Sequence, residues 1–226
     1  MSLRTNKERD NKTGKNTEVK ICGLTSLEDV SLVIKEKADY AGMVMFYEKS
    51  KRNIFTKTAI KLLKPLKEAG IKTVSVVVSP NLDMIKEIAC IGFDYIQIHG
   101  ELDKALLENI TIPVIRAINL KSADEQIIKE VQKLDNEEKI FAILFDAGIP
   151  GSGKSFDWNS LKKLDIKNKK LFLAGGLNKD NVIEAINTVN PDVVDVSSGV
   201  EFDNKEIVGK CEEKLVAFIE NVRKVR

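Results

Sequence analysis

Four side chains able to move protons stand at the ends of short apolar runs: Cys22, His99, Asp146 and Asp195. Thiols, imidazoles and carboxylates serve as acids and bases near neutrality once their surroundings tune their proton affinity. Two other segments suit an anion: Gly175-Gly176 and Ser197-Ser198-Gly199. Glycine lets backbone N–H groups approach a ligand with no side chain in the way. Ser198 adds a hydroxyl, and a short helix starting after Gly199 would bring its positive end. Together the segments predict a phosphorylated ligand bound at Gly175, Gly176, Ser198 and Gly199. The plainer reading is that these glycines only turn the chain, which suits one segment more readily than both. Arg52 closes the basic run 49–52, and His99 is the sole histidine.

The elements that must position these residues alternate along the chain. Short β-rich runs fall at 19–22, 40–46, 73–78, 95–99, 114–118, 141–145, 171–174 and 193–196. Between them lie stretches of helical period. Leu27, Val30, Val33 and Ile34 share one face of 26–37, and Ile127, Ile128, Val131 and Leu134 share one face of 123–134. Ser26 with Asp29, and Ser122 with Glu125, have the spacing of N-terminal caps. Such alternation demands parallel strands joined by crossover helices. Eight strands, each followed by a helical stretch, predict an α/β fold: a single (β/α)8 barrel of the TIM type. An open doubly wound sheet is the competing architecture. In a barrel, chemistry gathers at the C-terminal ends of the strands, and phosphate sits at the last two loops.

Composition removes other classes. The 226 residues carry 36 basic and 34 acidic side chains, a formal charge of +2, which leaves no footprint for nucleic acid or an anionic membrane. Cys22, Cys90 and Cys211 are far apart and odd in number, which argues against a disulfide framework or a metal site. They read as reduced thiols of a cytoplasmic protein, with Cys90 and Cys211 as buried, inert members of helical stretches. No apolar run approaches a membrane span. Residues 1–16 hold only Met1 and Leu3 as apolar side chains, so 1–17 read as a flexible extension and 18–226 as one catalytic domain. The segment 148–155, with Gly148, Gly151, Ser152 and Gly153, has the composition of a mobile lid.

The chain also resembles the phosphoribosylanthranilate isomerase family. Lys20-Ile21-Cys22-Gly23-Leu24-Thr25, Ser50-Lys51-Arg52, Gln97-Ile98-His99-Gly100, Phe156-Asp157-Trp158, Leu173-Ala174-Gly175-Gly176-Leu177 and Val194-Asp195-Val196-Ser197-Ser198-Gly199-Val200-Glu201 run in family order. Two departures stand out. Lys51 replaces the proline of the family's Ser-Pro-Arg, and Gly151-Ser152-Gly153 replaces its Gly-Gly-Thr-Gly.

The resemblance implies an Amadori rearrangement in tryptophan biosynthesis. N-(5-phosphoribosyl)anthranilate becomes 1-(2-carboxyphenylamino)-1-deoxyribulose 5-phosphate, with no cofactor. It implies Asp146 as the acid and Cys22 as the base, the thiol's proton affinity lowered by a nearby cation or helix N-terminus. Arg52 would grip the anthranilate carboxylate, His99 would contact substrate, and Asp195 would hold a substrate hydroxyl or orient a neighbour. The expected partners are a small phosphorylated substrate, no nucleic acid, no membrane, and either no second copy or one, as monomer or homodimer. Two other readings stay open: a different phosphate-binding barrel enzyme, such as indole-glycerol-phosphate synthase, and a non-catalytic binder of phosphorylated ligands.

Overall fold

The computed structural model describes residues 16–120, 124–146, 158–204 and 206–225. Eight parallel strands form a closed ring: β1 (Glu18–Cys22), β2 (Tyr40–Met45), β3 (Lys72–Val78), β4 (Tyr95–His99), β5 (Val114–Asn119), β6 (Ile140–Asp146), β7 (Lys170–Ala174) and β8 (Val193–Val196). β1 pairs with β8 on one side and β2 on the other, which closes the barrel. The expected barrel is therefore the one formed, and the open sheet is excluded. A two-residue strand, Asn53–Ile54, pairs outside the ring with the end of β2.

Helices α1 (Leu27–Lys35), α2 (Thr56–Glu68), α3 (Leu82–Ile91), α4 (Lys104–Asn109), α5 (Glu125–Asp135), α6 (Val182–Val189) and α7 (Glu212–Lys224) cover the ring. Local chemistry sets their ends. Ser26 caps α1 by accepting the Asp29 N–H, as its spacing predicts. Asn81 caps α3 at the Met84 N–H, and Gly92 ends that helix in the left-handed conformation. The cap of α5 differs from expectation. Asp124 accepts the N–H groups of Gln126 and Ile127 and takes the role assigned to Ser122, which lies outside the described residues. Among the described residues between β6 and β7, the helical element is a 3-10 turn, Trp158–Lys163, in place of the expected helix. The expected lid at 148–155 and the extension 1–15 also lie outside the described residues.

Strand alternation divides the apolar side chains into two layers. One cluster fills the space between ring and helices, with Ile21, Met43, Ile96, Ile143 and Leu173 among its buried members. The other fills the barrel itself with Tyr40, Val74, Val76, Ile115, Leu144 and Phe172. Tyr40 packs edge-on against Phe172 and Tyr95, with ring centroids 5.4 and 5.8 Å apart. Below them Glu18 pairs with Lys72 at 2.6 Å and Lys170 at 2.5 Å, which places an ion-paired cluster at the N-terminal end. The interior is a packed core rather than a channel. Among the described residues, no helix is long and apolar enough to cross a membrane.

Phe172 is fully buried at the centre of the inner layer. Phe172→Ala should destabilise the fold by about 3–5 kcal/mol through lost contacts and the cavity left behind. Urea unfolding measures this; a loss below about 1 kcal/mol would mean that the inner layer collapses around the gap.

Candidate active site

The mouth is built by side chains that strand alternation turns inward. Cys22 ends β1, His99 ends β4 and Asp146 ends β6, while Asp195 lies one residue before the end of β8. All the proton-handling residues expected from the sequence thus stand on one rim. Asp146 is half-buried, flanked in register by Asn119 of β5 and Ala174 of β7.

The centre of the site is a buried ion pair that sequence reading missed. Lys20 is fully buried and donates to Asp195 Oδ2 at 2.8 Å. The two residues are register partners on β1 and β8. Asp195 Oδ1 is buried with no hydrogen-bond partner among the described residues. A lysine inside a β-run carries no local sign of burial, so only the ring could reveal it. Burial presses the Lys20 pKa down, but its interactions, led by the charge of Asp195, outweigh burial and raise it.

Cys22 lies two residues along the same face. A Cβ on Gly42 of the neighbouring strand would stand 2.9 Å from Cys22 Sγ and 3.0 Å from Lys20 Nζ. Glycine at 42 therefore leaves room for both. The expectation of a lowered thiol pKa is not met. Burial pushes the Cys22 thiol up, Lys20 pulls it down, Asp195 pushes it up, and the balance is upward. The expectation for the other thiols is corrected too: Cys90 is exposed, and Cys211 is half-buried at the N-cap of α7.

Arg52 follows β2 and reaches across the rim to Glu201, with Nε at 2.5 Å and Nη2 at 2.9 Å from its carboxylate. Its stem lies over Gly23, where an added Cβ would meet Arg52 Cδ at 2.5 Å and Ser197 Oγ at 3.1 Å. Gly23 also has φ of 79°, so glycine is required there twice over. Glu201 is shared by two further cations. Lys51, the residue that departs from the family pattern, approaches to 3.2 Å. Lys210, also at 3.2 Å, is buried and donates to the carbonyls of Cys22 and Ser197 as well. Burial would raise Glu201, but the Arg52 hydrogen bonds and the Lys210 charge hold its carboxyl at about 2. Glu201 stands in a quoted motif, yet Arg52 and Lys51 lie far from it in sequence and gave no local signal.

The two anion-binding segments meet in space. A Cβ at Gly199 would fall 1.9 Å from the Leu177 carbonyl oxygen, so the β7 and β8 loops touch only because that residue is glycine. Gly175 and Gly176 have φ of 97° and 66°. Asn181 Nδ2 donates to the Gly176 carbonyl at 3.0 Å. The N–H of a trans peptide points opposite its carbonyl, so the Leu177 N–H is directed away from Asn181. Ser198 is exposed at this junction. The short helix expected after Gly199 starts at Ser198 instead and is a three-residue 3-10 turn, Ser198–Val200.

His99 Nε2 lies 2.8 Å from the side-chain amide of Gln97, two residues back on the same inward face. Burial, followed by the charges of Lys20 and Arg116, lowers its pKa to about 4, so the ring is neutral at physiological pH. Among the described residues, no group of three or more His, Cys, Asp or Glu side chains could hold a metal ion.

Comparison with known proteins was informative. The family model described as N-(5'-phosphoribosyl)anthranilate isomerase matches residues 19–221. The chain is 40% identical to the N-(5'-phosphoribosyl)anthranilate isomerase of Streptococcus mutans, over 92% of this chain and 100% of that one. It is 40% identical to that of Aquifex aeolicus, over 91% and 98% respectively. Among solved structures, the phosphoribosyl anthranilate isomerase of Thermotoga maritima superposes with a TM-score of 0.78 at 34% identity, covering 92% of this chain and 99% of that one. A second isomerase structure holds reduced 1-(o-carboxyphenylamino)-1-deoxyribulose 5-phosphate and matches at 32% identity with a TM-score of 0.75, covering 92% and 99%.

His99 and Glu201 both contribute to the acid limb of stability. The His99 pKa is lower in the fold (about 4) than in the unfolded chain (6.5), so the unfolded chain takes up the proton first. Its contribution is complete above pH 6.5 and is lost as pH falls to about 4. Glu201 contributes fully above pH 4.5, and this is lost as pH falls to about 2. Urea midpoints across this range should decline from pH 6.5 downward, and His99→Gln should flatten the limb between 6.5 and 4. A wild-type midpoint constant between those values would contradict the assignment.

Proposed function

Starting from the fact that the chain belongs to the phosphoribosylanthranilate isomerase family, we propose that Cys22 and Asp146 are the base and acid of its reaction. The protein is an aldose–ketose isomerase of tryptophan biosynthesis, acting on a small phosphorylated substrate. The observation that carries the residue assignment is the placement of both groups at strand ends on one rim. β1 and β6 lie well apart around the ring and face each other across the mouth.

The chemistry needs one donor and one acceptor. Asp146 gives its proton to the ring oxygen as the C1–O bond breaks, and the anilino nitrogen forms an iminium with C1. The Cys22 thiolate then takes the C2 proton. The C2–H electron pair becomes the C1=C2 bond, and the C1=N pair returns to nitrogen. The resulting enolamine gains a proton at C1 and loses the one on its C2 hydroxyl, which completes the ketose with atoms conserved. The iminium charge offsets the upward pressure of burial on the Cys22 thiol, so the base becomes competent when substrate is bound.

Binding is assigned to other residues. The phosphate lies at the junction of Gly175, Gly176, Ser198 and Gly199, with peptide N–H groups as donors. Arg52 uses the guanidinium N–H groups left over from Glu201 to receive the anthranilate carboxylate. Asp195 Oδ1 accepts a ribose hydroxyl, and neutral His99 lines the mouth. Residues 18–226 act as one catalytic domain in the cytoplasm, as monomer or homodimer, with no cofactor.

Cys22→Ala and Asp146→Asn should each lower kcat by at least about 100-fold with modest change in KM, because a lost acid or base acts on the chemical step. Arg52→Ala should chiefly raise KM, and Glu201 keeps Lys51 and Lys210 as partners in that variant. Fluorescence-monitored consumption of phosphoribosylanthranilate measures all three. Near-normal kcat in both of the first two variants would refute the assignment.

The same assay after chelator treatment and dialysis should give undiminished turnover. Strict dependence on an added metal would overturn the cofactor-free reading.

A further inference from the structure

We infer that Lys20 is the counter-ion of the Cys22 thiolate, held in place by Asp195, and is therefore a positioning residue for the proton-abstraction step. The inference rests on the reading of Cys22 as the base and deepens it.

The geometry is specific. Lys20 and Cys22 project inward from alternate positions of β1, and both reach the gap that Gly42 leaves on β2. Lys20 Nζ is completely enclosed, with the Asp195 carboxylate 2.8 Å away, and Cys22 Sγ borders the same gap above Gly42. A buried ammonium needs a full anionic partner. Asp195 provides one, and a thiolate on Cys22 would provide a second. Among the described residues the charged groups acting on the thiol are Lys20 on β1, Asp195 on β8 and Lys210 before α7, while the neutral His99 on β4 faces Lys20 from across the barrel. Lys20 and Lys210 favour the thiolate, and Asp195 opposes it. Asp195 thus anchors Lys20 while competing with Cys22 for its charge. Ionisation releases the thiol proton to water and leaves the pair Lys20 ammonium and Cys22 thiolate, ready to accept the C2 proton.

The test titrates Cys22 by ultraviolet thiolate absorbance in the full chain carrying Cys90→Ser and Cys211→Ser. Lys20→Met should raise the midpoint by roughly one pH unit or more, a tenfold loss of thiolate at a given pH. Lys20→Arg should restore most of it by returning the charge. Asp195→Asn should lower the midpoint, a sign that a merely structural partner would not produce. In turnover, Lys20→Met should lower kcat by about tenfold or more with KM nearly unchanged, and move the acid limb of the kcat profile upward with the thiol midpoint. If Lys20→Met does not fold, Lys20→Arg and Asp195→Asn still decide. A midpoint that is unmoved or raised in Asp195→Asn overturns the inference, as does an unmoved midpoint in folded Lys20→Met. The two layers separate cleanly. Normal turnover by Cys22→Ala with the expected titration shifts overturns the base reading but keeps the ion pair. Loss of turnover in Cys22→Ala with unmoved titration overturns the ion pair alone.

Discussion

Closure of the ring across β1 is the constraint on which the site depends. β1 hydrogen-bonds to β8 and β2 at once, and its register sets Lys20 opposite Asp195 on one side and Tyr40 on the other. Parallel strands alternate their side chains between inside and outside, so a slip of one residue would send Lys20 and Cys22 into the helical layer. The buried ion pair spans this closing seam. Removing one partner of such a pair strands a charge in the interior, at a cost of about 3–5 kcal/mol. The seam is thereby locked in the register that also presents Cys22 at the rim.

A second electrostatic centre sits at the lip. Glu201 holds Arg52, Lys51 and Lys210, and Lys210 in turn grips the carbonyls of Cys22 and Ser197. One carboxylate therefore ties together the loops that follow β1, β2 and β8. Its effect is preorganisation: the Arg52 guanidinium is fixed in orientation before a ligand arrives, so less conformational entropy is lost on binding. Gly23, beneath the Arg52 stem, and Gly199, against the Leu177 carbonyl, show how closely these loops are drawn together.

The two centres divide the work. In the proposed assignment the lip and the β7–β8 junction receive the anionic groups of the substrate, while the floor holds a charge balance around one thiol. That balance favours the protonated thiol, because burial and the Asp195 charge outweigh the lysines. In the proposed reaction the cationic iminium tips it the other way, and a base activated in that manner spares the protein a persistently reactive thiolate.

The sequence alone determined the ring and its rim. The eight β-rich runs match the observed strands to within one residue at either end, because alternation, apolar runs and strand length are local properties. Cys22, His99, Asp146 and Asp195 could be placed at strand ends, and the glycine pairs at the last two loops, from the same pattern and the barrel rule. Tertiary structure alone decided the partners. Lys20 meets Asp195 across 175 positions, Arg52 meets Glu201 across 149, and Lys210 meets Cys22 across 188. No window of sequence contains both members of any of these pairs. It also decided that Cys90 is exposed, that Asp124 caps α5, and that burial raises the Cys22 thiol. Local pattern fixes which way a side chain faces along its own strand or helix; its charge state and its partner follow from what the closed barrel places on the other side.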